Sequence, residues 1–165
     1  MSDSEKPEHK QSPFVFRQSE IRAGGGLHRV IECDTALFAD ALKGVGTLLS
    51  LTAEADFSVG SGDLLLEGEI KATAAMPCDR CNADFKASLS ESFDEVYEYS
   101  VESIDIEDLV RQALVLAVPA KILCSDGCKG LCLGCGTNLN AGPCKCGPGQ
   151  DGPFGALRDL KNKEP

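Results

Sequence analysis

From Leu49 the apolar residues fall at every second position: Leu49, Leu51, Ala53, Ala55, Phe57 and Val59 alternate with Ser50, Thr52, Glu54, Asp56 and Ser58. A period of two predicts a strand buried on one face. Gly60-Ser-Gly-Asp63 reads as a turn, and the alternation resumes through Leu64, Leu66, Gly68, Ile70, Ala72, Ala74 and Met76, so the two segments should pair as an antiparallel hairpin. A third alternating segment runs from Phe85 through Ala87 and Leu89 to Phe93. After Asp105, a suitable N-cap, the period becomes helical, with Ile106, Leu109, Val110, Ala113, Leu114 and Ala117 on one face and Pro119 as the stop. Glu107 and Asp108 then lie in the first turn, where they suit the helix dipole. A shorter helix is expected after Cys33-Asp34-Thr35, with Leu37, Phe38, Ala41 and Leu42 at helical spacing and Gly44 ending it.

These elements predict an α+β protein: an antiparallel β meander or small barrel with one or two packed helices, followed by a C-terminal Cys-rich zinc-knuckle lobe. The expected division is a disordered polar leader at 1–13, an α+β body at 14–120, a knuckle lobe at 121–150 packed on the body through Cys78 and Cys81, and an amphipathic tail at 151–165.

Composition narrows the function classes. The chain has 165 residues, a formal net charge of −10 and nine cysteines. That length can bury roughly 70% of the unfolded surface, so a core forms without disulfide staples. The first ten residues carry no apolar run and no import signature, and no stretch is long and apolar enough to span a bilayer. A cytoplasmic chain is therefore expected, and its clustered thiols read as metal ligands rather than disulfides. Charge is unevenly spread. Residues 121–165 hold Lys121, Lys129, Lys145, Arg158, Lys161 and Lys163 against Asp126, Asp151, Asp159 and Glu164, a net of +2 that leaves −12 on the rest. Glu91 to Asp108 contains eight acids and no base, which reads as a solvated face or as a docking surface for a basic partner.

The cysteines carry the chemistry. Cys78-Asp-Arg-Cys81 lies at the tip between the second and third strands, and Cys124, Cys128, Cys132, Cys135, Cys144 and Cys146 crowd a segment with few large apolar residues. Such a segment needs something other than a hydrophobic core to fold it. Cys132-Leu-Gly-Cys135-Gly136 has the glycine that lets the backbone turn with positive φ after the second ligand. Eight cysteines in close pairs suit two tetrahedral all-thiolate sites, with Cys33 left over as a small apolar residue. The compact partition puts Cys132, Cys135, Cys144 and Cys146 on one ion and Cys78, Cys81, Cys124 and Cys128 on the other. A single ribbon-like site from Cys78, Cys81, Cys132 and Cys135 is the competing partition. Zinc is favoured over an iron–sulfur cluster because all-thiolate zinc sites commonly pair short-spaced knuckles. Two ions are expected, one in the ribbon arrangement.

No catalytic constellation is present. His9 and His28 are the two histidines, all-Cys sites leave no open coordination position, and Gly24-Gly25-Gly26 lacks the spacing of a phosphate loop. An enzyme is not expected.

The residues together resemble a known family. Cys78-Asp-Arg-Cys81, the acidic approach to Ile104-Asp-Ile-Glu-Asp-Leu109, the helix ending Leu116-Ala-Val-Pro119, the string from Leu123 to Asn140, Cys144-Lys-Cys146 and the terminal Pro153-Phe-Gly-Ala-Leu-Arg-Asp-Leu160 look like the large ribosomal RNA subunit accumulation (YceD-like) proteins. The resemblance covers roughly residues 70–162. It implies a cytoplasmic, non-enzymatic factor supporting synthesis, processing or stability of 23S ribosomal RNA. Its partner is expected to be a basic large-subunit ribosomal protein or an assembly factor, with no membrane and no DNA. Two other readings compete. One is direct RNA binding by the knuckle lobe through Lys129, Lys145, Arg158, Lys161 and Lys163; Phe154 is the sole aromatic there for base stacking. The other is a thiol or zinc redox sensor.

Overall fold

Strict alternation of side chains across a pleat makes the central strands legible as the centre of a sheet. A computed structural model describes residues 12–146; the expected leader up to residue 11, residues 147–150 of the expected lobe and the whole expected tail lie outside them. The described residues divide into two compact units, one of residues 12–75 and 87–119 and one of residues 76–86 and 120–146.

The first unit is α+β. In chain order its elements are β1 (Val15–Arg17), α1 (Gln18–Gly24), β2 (Gly26–Glu32), a 3-10 helix (Thr35–Leu42), β3 (Thr47–Val59), β4 (Asp63–Pro77), β5 (Asp84–Glu98), β6 (Ser103–Asp105) and α2 (Glu107–Leu116), with the tips of β4 and β5 belonging to the second unit. The sheet order β2-β3-β4-β5 is a meander that stays open rather than closing into a barrel, and β1 and β6 form a separate two-stranded sheet. The β3–β4 hairpin pairs Phe57 with Leu66, Ala53 with Ile70 and Leu51 with Ala72. These inward residues are buried, as the period of two requires.

The alternation fails at the start of β3. A register shift between Leu48 and Ser50 moves the inward phase by one residue, so Leu48 is buried and Leu49 is 45% exposed. One extra residue on one strand is enough to reverse every side chain beyond it. Gly68 keeps its inward place without a side chain because the Phe93 ring occupies the space a Cβ would need.

The segment after Cys33 is a 3-10 helix rather than an α-helix. Asp34 caps it, accepting from the Ala36 N–H at 3.0 Å, and Phe38 and Leu42 are fully buried while Leu37 stays exposed. Helix α2 begins at Glu107 with Ile106, not the expected Asp105, in the N-cap position; the Asp105 carboxylate, one residue earlier, still accepts the Glu107 N–H at 3.0 Å. Ile106, Val110, Ala113 and Leu114 are buried along its inner face.

Gly24-Gly25-Gly26 is more ordered than a flexible turn. Gly25 ends α1 in the left-handed conformation (φ 70°) and Gly26 starts β2. Strand β2 is an edge strand with only Ile31 buried, so it carries no apolar alternation to read. The aromatic part of the core joins the two sheets of this unit: Phe16 tilts against Phe57 at 4.9 Å and Phe14 meets Phe38 edge-on at 5.6 Å.

The second unit has almost no hydrophobic core. Its buried centre is Cys78, Cys81 and Cys128, against which Phe85 and Leu123 pack.

Candidate metal centres

Two loops of the second unit are built alike. In the first, the Cys78 N–H donates to the Ala83 carbonyl at 3.0 Å and Asn82 N–H to the Cys78 carbonyl at 2.8 Å; in the second, Cys132 N–H donates to the Thr137 carbonyl and Gly136 N–H to the Cys132 carbonyl, both at 2.8 Å. The residue after the second cysteine takes the left-handed conformation in each, Asn82 at φ 54° and Gly136 at φ 72°. Such a turn aims backbone N–H groups at sulfur. Cys78 receives the N–H groups of Arg80 and Cys81, and Cys132 those of Gly134 and Cys135. The sequence marks Gly136 as a knuckle glycine but conceals Asn82, although asparagine tolerates the left-handed region better than most residues.

Each loop meets a second pair of cysteines. Cys78, Cys81, Cys124 and Cys128 bring their sulfurs within 4.8 Å of one another, and so do Cys132, Cys135, Cys144 and Cys146. We refer to these as site 1 and site 2. Nearest sulfurs are 3.8 Å apart for Cys78 and Cys128, 3.7 Å for Cys81 and Cys124, and 3.3 Å for Cys132 and Cys144. A disulfide needs about 2.05 Å, and all nine cysteines are free. Four sulfurs about 2.3 Å from a central ion in a tetrahedron stand roughly 3.8 Å from each other, so both groups fit the donor set of a four-coordinate cation. The grouping is the compact partition; the ribbon arrangement is not formed, because Cys78 and Cys81 belong to one group and Cys132 and Cys135 to the other.

The electrostatics point the same way. Backbone N–H groups, first that of Cys124, draw the Cys78 thiol down to about 6, and the N–H groups of Cys135 and Gly134 draw Cys132 down to about 6. Within the same groups burial pushes Cys124 up to about 12, and neighbouring sulfurs, Cys135 first, push Cys146 up to about 12. Four thiolates this close repel, so a group without a cation keeps part of its protons. A cation would remove that conflict, and either group could hold one.

Cys33 belongs to neither group. It is half-buried in the first unit, where burial pushes its thiol from 9.0 up to about 11 against a smaller pull from the Ala53 backbone. At pH 8 this leaves about a hundredfold less thiolate than an ordinary cysteine carries. With the second unit opened by metal chelation, so that its thiols regain ordinary values, iodoacetamide followed by peptide mapping should therefore show its eight cysteines modified while Cys33 lags. Modification of Cys33 in step with the rest would contradict the burial argument.

Outside the cysteines, two acids of the run from Glu91 to Asp108 are engaged within the first unit. Asp105 accepts from the Glu107 N–H and Glu107 bonds Arg111 at 3.2 Å; Glu91, Asp94, Glu95 and Glu98 lie on β5, Glu102 before β6 and Asp108 in α2. A denser juxtaposition arises on the polar face of the hairpin, where register places Glu54 opposite Glu69 and Asp56 opposite Glu67. Counting acids along the chain misses it; aligning the two strands about the Gly60–Asp63 turn would have found it.

The sequence comparisons bear on these residues. Residues 98–161 match the family described as Large ribosomal RNA subunit accumulation protein YceD. The match is to this segment. It contains Cys124 to Cys146, and hence all of site 2 and half of site 1. A relative described as Large ribosomal RNA subunit accumulation protein YCED homolog 1, chloroplastic, from Arabidopsis thaliana, is 39% identical over 69 residues, which is 39% of this chain and 22% of the relative. Its Zea mays counterpart is 42% identical over 48 residues, 28% of this chain and 16% of the relative. The chain thus spans about a fifth of those proteins' length. No solved structure matches. No helix among the described residues is long and apolar enough to cross a membrane.

Proposed function

We propose that this protein is a non-enzymatic, cytoplasmic factor that supports accumulation of 23S ribosomal RNA by docking a basic large-subunit ribosomal protein or assembly factor. In this reading Cys78, Cys81, Cys124, Cys128, Cys132, Cys135, Cys144 and Cys146 hold two structural zinc ions. The match of residues 98–161 to the YceD family carries the link to ribosomal RNA. Zinc is the d¹⁰ ion that accepts a closed tetrahedral thiolate site without geometric penalty, and such a site leaves no coordination position for substrate.

The partner chemistry rests on the hairpin face. Carboxylates directly opposite each other across a ladder destabilise it. Two such pairs stand side by side, with His28 3.3 Å from Asp56 and Lys71 2.9 Å from Glu69 as their nearby bases. A surface that works against its own sheet is relieved when a basic segment lies on it. Two Zn(Cys)₄ centres would each carry a formal −2, making the second unit less attractive to phosphate than its lysines suggest.

The test is complementation. In cells depleted of the protein, the ratio of large to small ribosomal RNA should fall, and the wild-type chain should restore it. A chain carrying Glu54→Gln, Asp56→Asn, Glu67→Gln and Glu69→Gln should fold and bind metal yet fail to restore it. Full restoration by that variant would sink the docking surface. An unchanged ratio on depletion would sink the ribosomal reading itself. Direct RNA binding predicts instead a steep salt dependence of 23S RNA affinity for the whole chain.

A further inference from the structure

The two cysteine sites are joined by a short hydrogen-bonded hairpin, and one side chain crosses from its return strand to site 1. The hairpin is closed by the Leu131–Asn138 bridge and by the Leu139 N–H donating to the Gly130 carbonyl at 2.9 Å. At its tip sits the Cys132–Thr137 knuckle of site 2. At its base Asn140 donates from Nδ2 to Cys128 Sγ of site 1 at 3.3 Å and accepts from the Lys129 N–H through Oδ1 at 2.8 Å. The Lys129 N–H can only donate, so it fixes which end of the amide faces sulfur. A second tie runs the other way. The Arg80 carbonyl, inside the site 1 knuckle, accepts the Leu131 N–H at 3.1 Å, and the Arg80 guanidinium holds the Cys128 carbonyl at 3.0 Å.

From this geometry we infer that the two sites load cooperatively and that Asn140 is the positioning residue that couples them. The inference rests on the reading of both groups as metal sites. The argument is one of order. Residues 129–140 bury almost nothing apolar, so the hairpin depends on the metal at its tip to hold its shape. When site 2 is filled, the hairpin closes and Asn140 is delivered to Cys128 with its donor aimed at sulfur. Cys128 then enters site 1 already oriented, and less ordering remains for the second ion to impose. Coupling is reciprocal, so filling site 1 favours site 2 by the same factor. An outer hydrogen bond to a metal ligand is worth roughly 10- to 100-fold in metal affinity, which sets the expected size of the effect. Asn140 itself is exposed, so replacing it leaves no buried gap.

Native mass spectrometry of the full chain during zinc titration against a competing chelator reads the coupling directly. The wild-type chain should pass from no ion to two with little one-ion species, and Asn140→Ala should accumulate the one-ion species. Disabling site 2 with Cys132→Ser and Cys135→Ser should lower the affinity of site 1 by roughly 10- to 100-fold. Adding Asn140→Ala to that chain should lower it little further, since the two changes remove the same contact. Cadmium substitution gives a second readout: the ¹¹³Cd resonance of site 1 should move in Asn140→Ala while that of site 2 stays. A wild-type chain that fills its two sites independently overturns the coupling while leaving the metal reading intact. A chain that binds no metal overturns the reading beneath it.

Discussion

Stripping the metal from the whole protein should unfold the second unit and spare the first. Hydrogen exchange after chelation should show full loss of protection at the amides of Cys78, Leu131, Cys132, Gly136 and Leu139, which now donate to backbone carbonyls within that unit. Amides of β3 and β4 paired between Thr47 and Ala75 should keep theirs. The reason is the imbalance of cores. The second unit buries Met76 and three cysteines, helped by Phe85 and Leu123, which at about 25 cal/mol per Å² cannot meet the ordering entropy of its loops. Structural zinc in such motifs contributes roughly 10–16 kcal/mol of apparent binding energy at pH 7. Cys128→Ser should be the single-residue version, removing a ligand of site 1 that is buried and also bonded by Asn140. Retained protection in residues 120–146 after chelation would show that something other than metal holds the unit.

The converse is expected of Phe57→Ala. Phe57 is 1% exposed, pairs with Leu66 and stacks on Phe16 at 4.9 Å, so truncating it removes a ring from the place where both sheets of the first unit meet. Large aromatic-to-alanine changes in such places cost about 3–5 kcal/mol. For a unit near a hundred residues that lowers the melting temperature by more than about 10 °C. The cysteines of both groups belong to the second unit, so any metal they hold should be retained by the variant below its melting point in the wild-type amount. A loss of less than 1 kcal/mol would mean that Phe16 and its neighbours collapse into the space.

Much of this was legible beforehand because it is local. The hairpin from Thr47 to Pro77 follows from a period of two around a turn, and α2 from a period near 3.6 after Asp105. Elements with weak amphipathicity were invisible: β2 has one buried residue, and β1 and β6 are three residues each, held by a pairing between positions 15–17 and 103–105. The segment at Thr35–Leu42 shows apolar spacing that suits either helix type, and its length and cap did not discriminate them. For the cysteines, Cys132, Cys135, Cys144 and Cys146 lie within fifteen residues and can close on one centre with little loop cost. The joining of the other four across positions 78–128 is a long-range event that spacing does not specify.

By itself the sequence determined an α+β body with a strand hairpin and a closing helix, a cysteine-rich segment unable to fold on apolar burial, and eight thiols in pairs short enough to chelate. These depend on period, reach and donor chemistry, which neighbouring residues carry between them. Tertiary structure alone decided that Leu49 faces outward, that Glu54 and Asp56 oppose Glu69 and Glu67, that Asn82 turns like a glycine, and that Asn140 reaches Cys128. Each of those depends on which strand position or loop lies opposite, and a shift of one residue in register would have reversed or undone it.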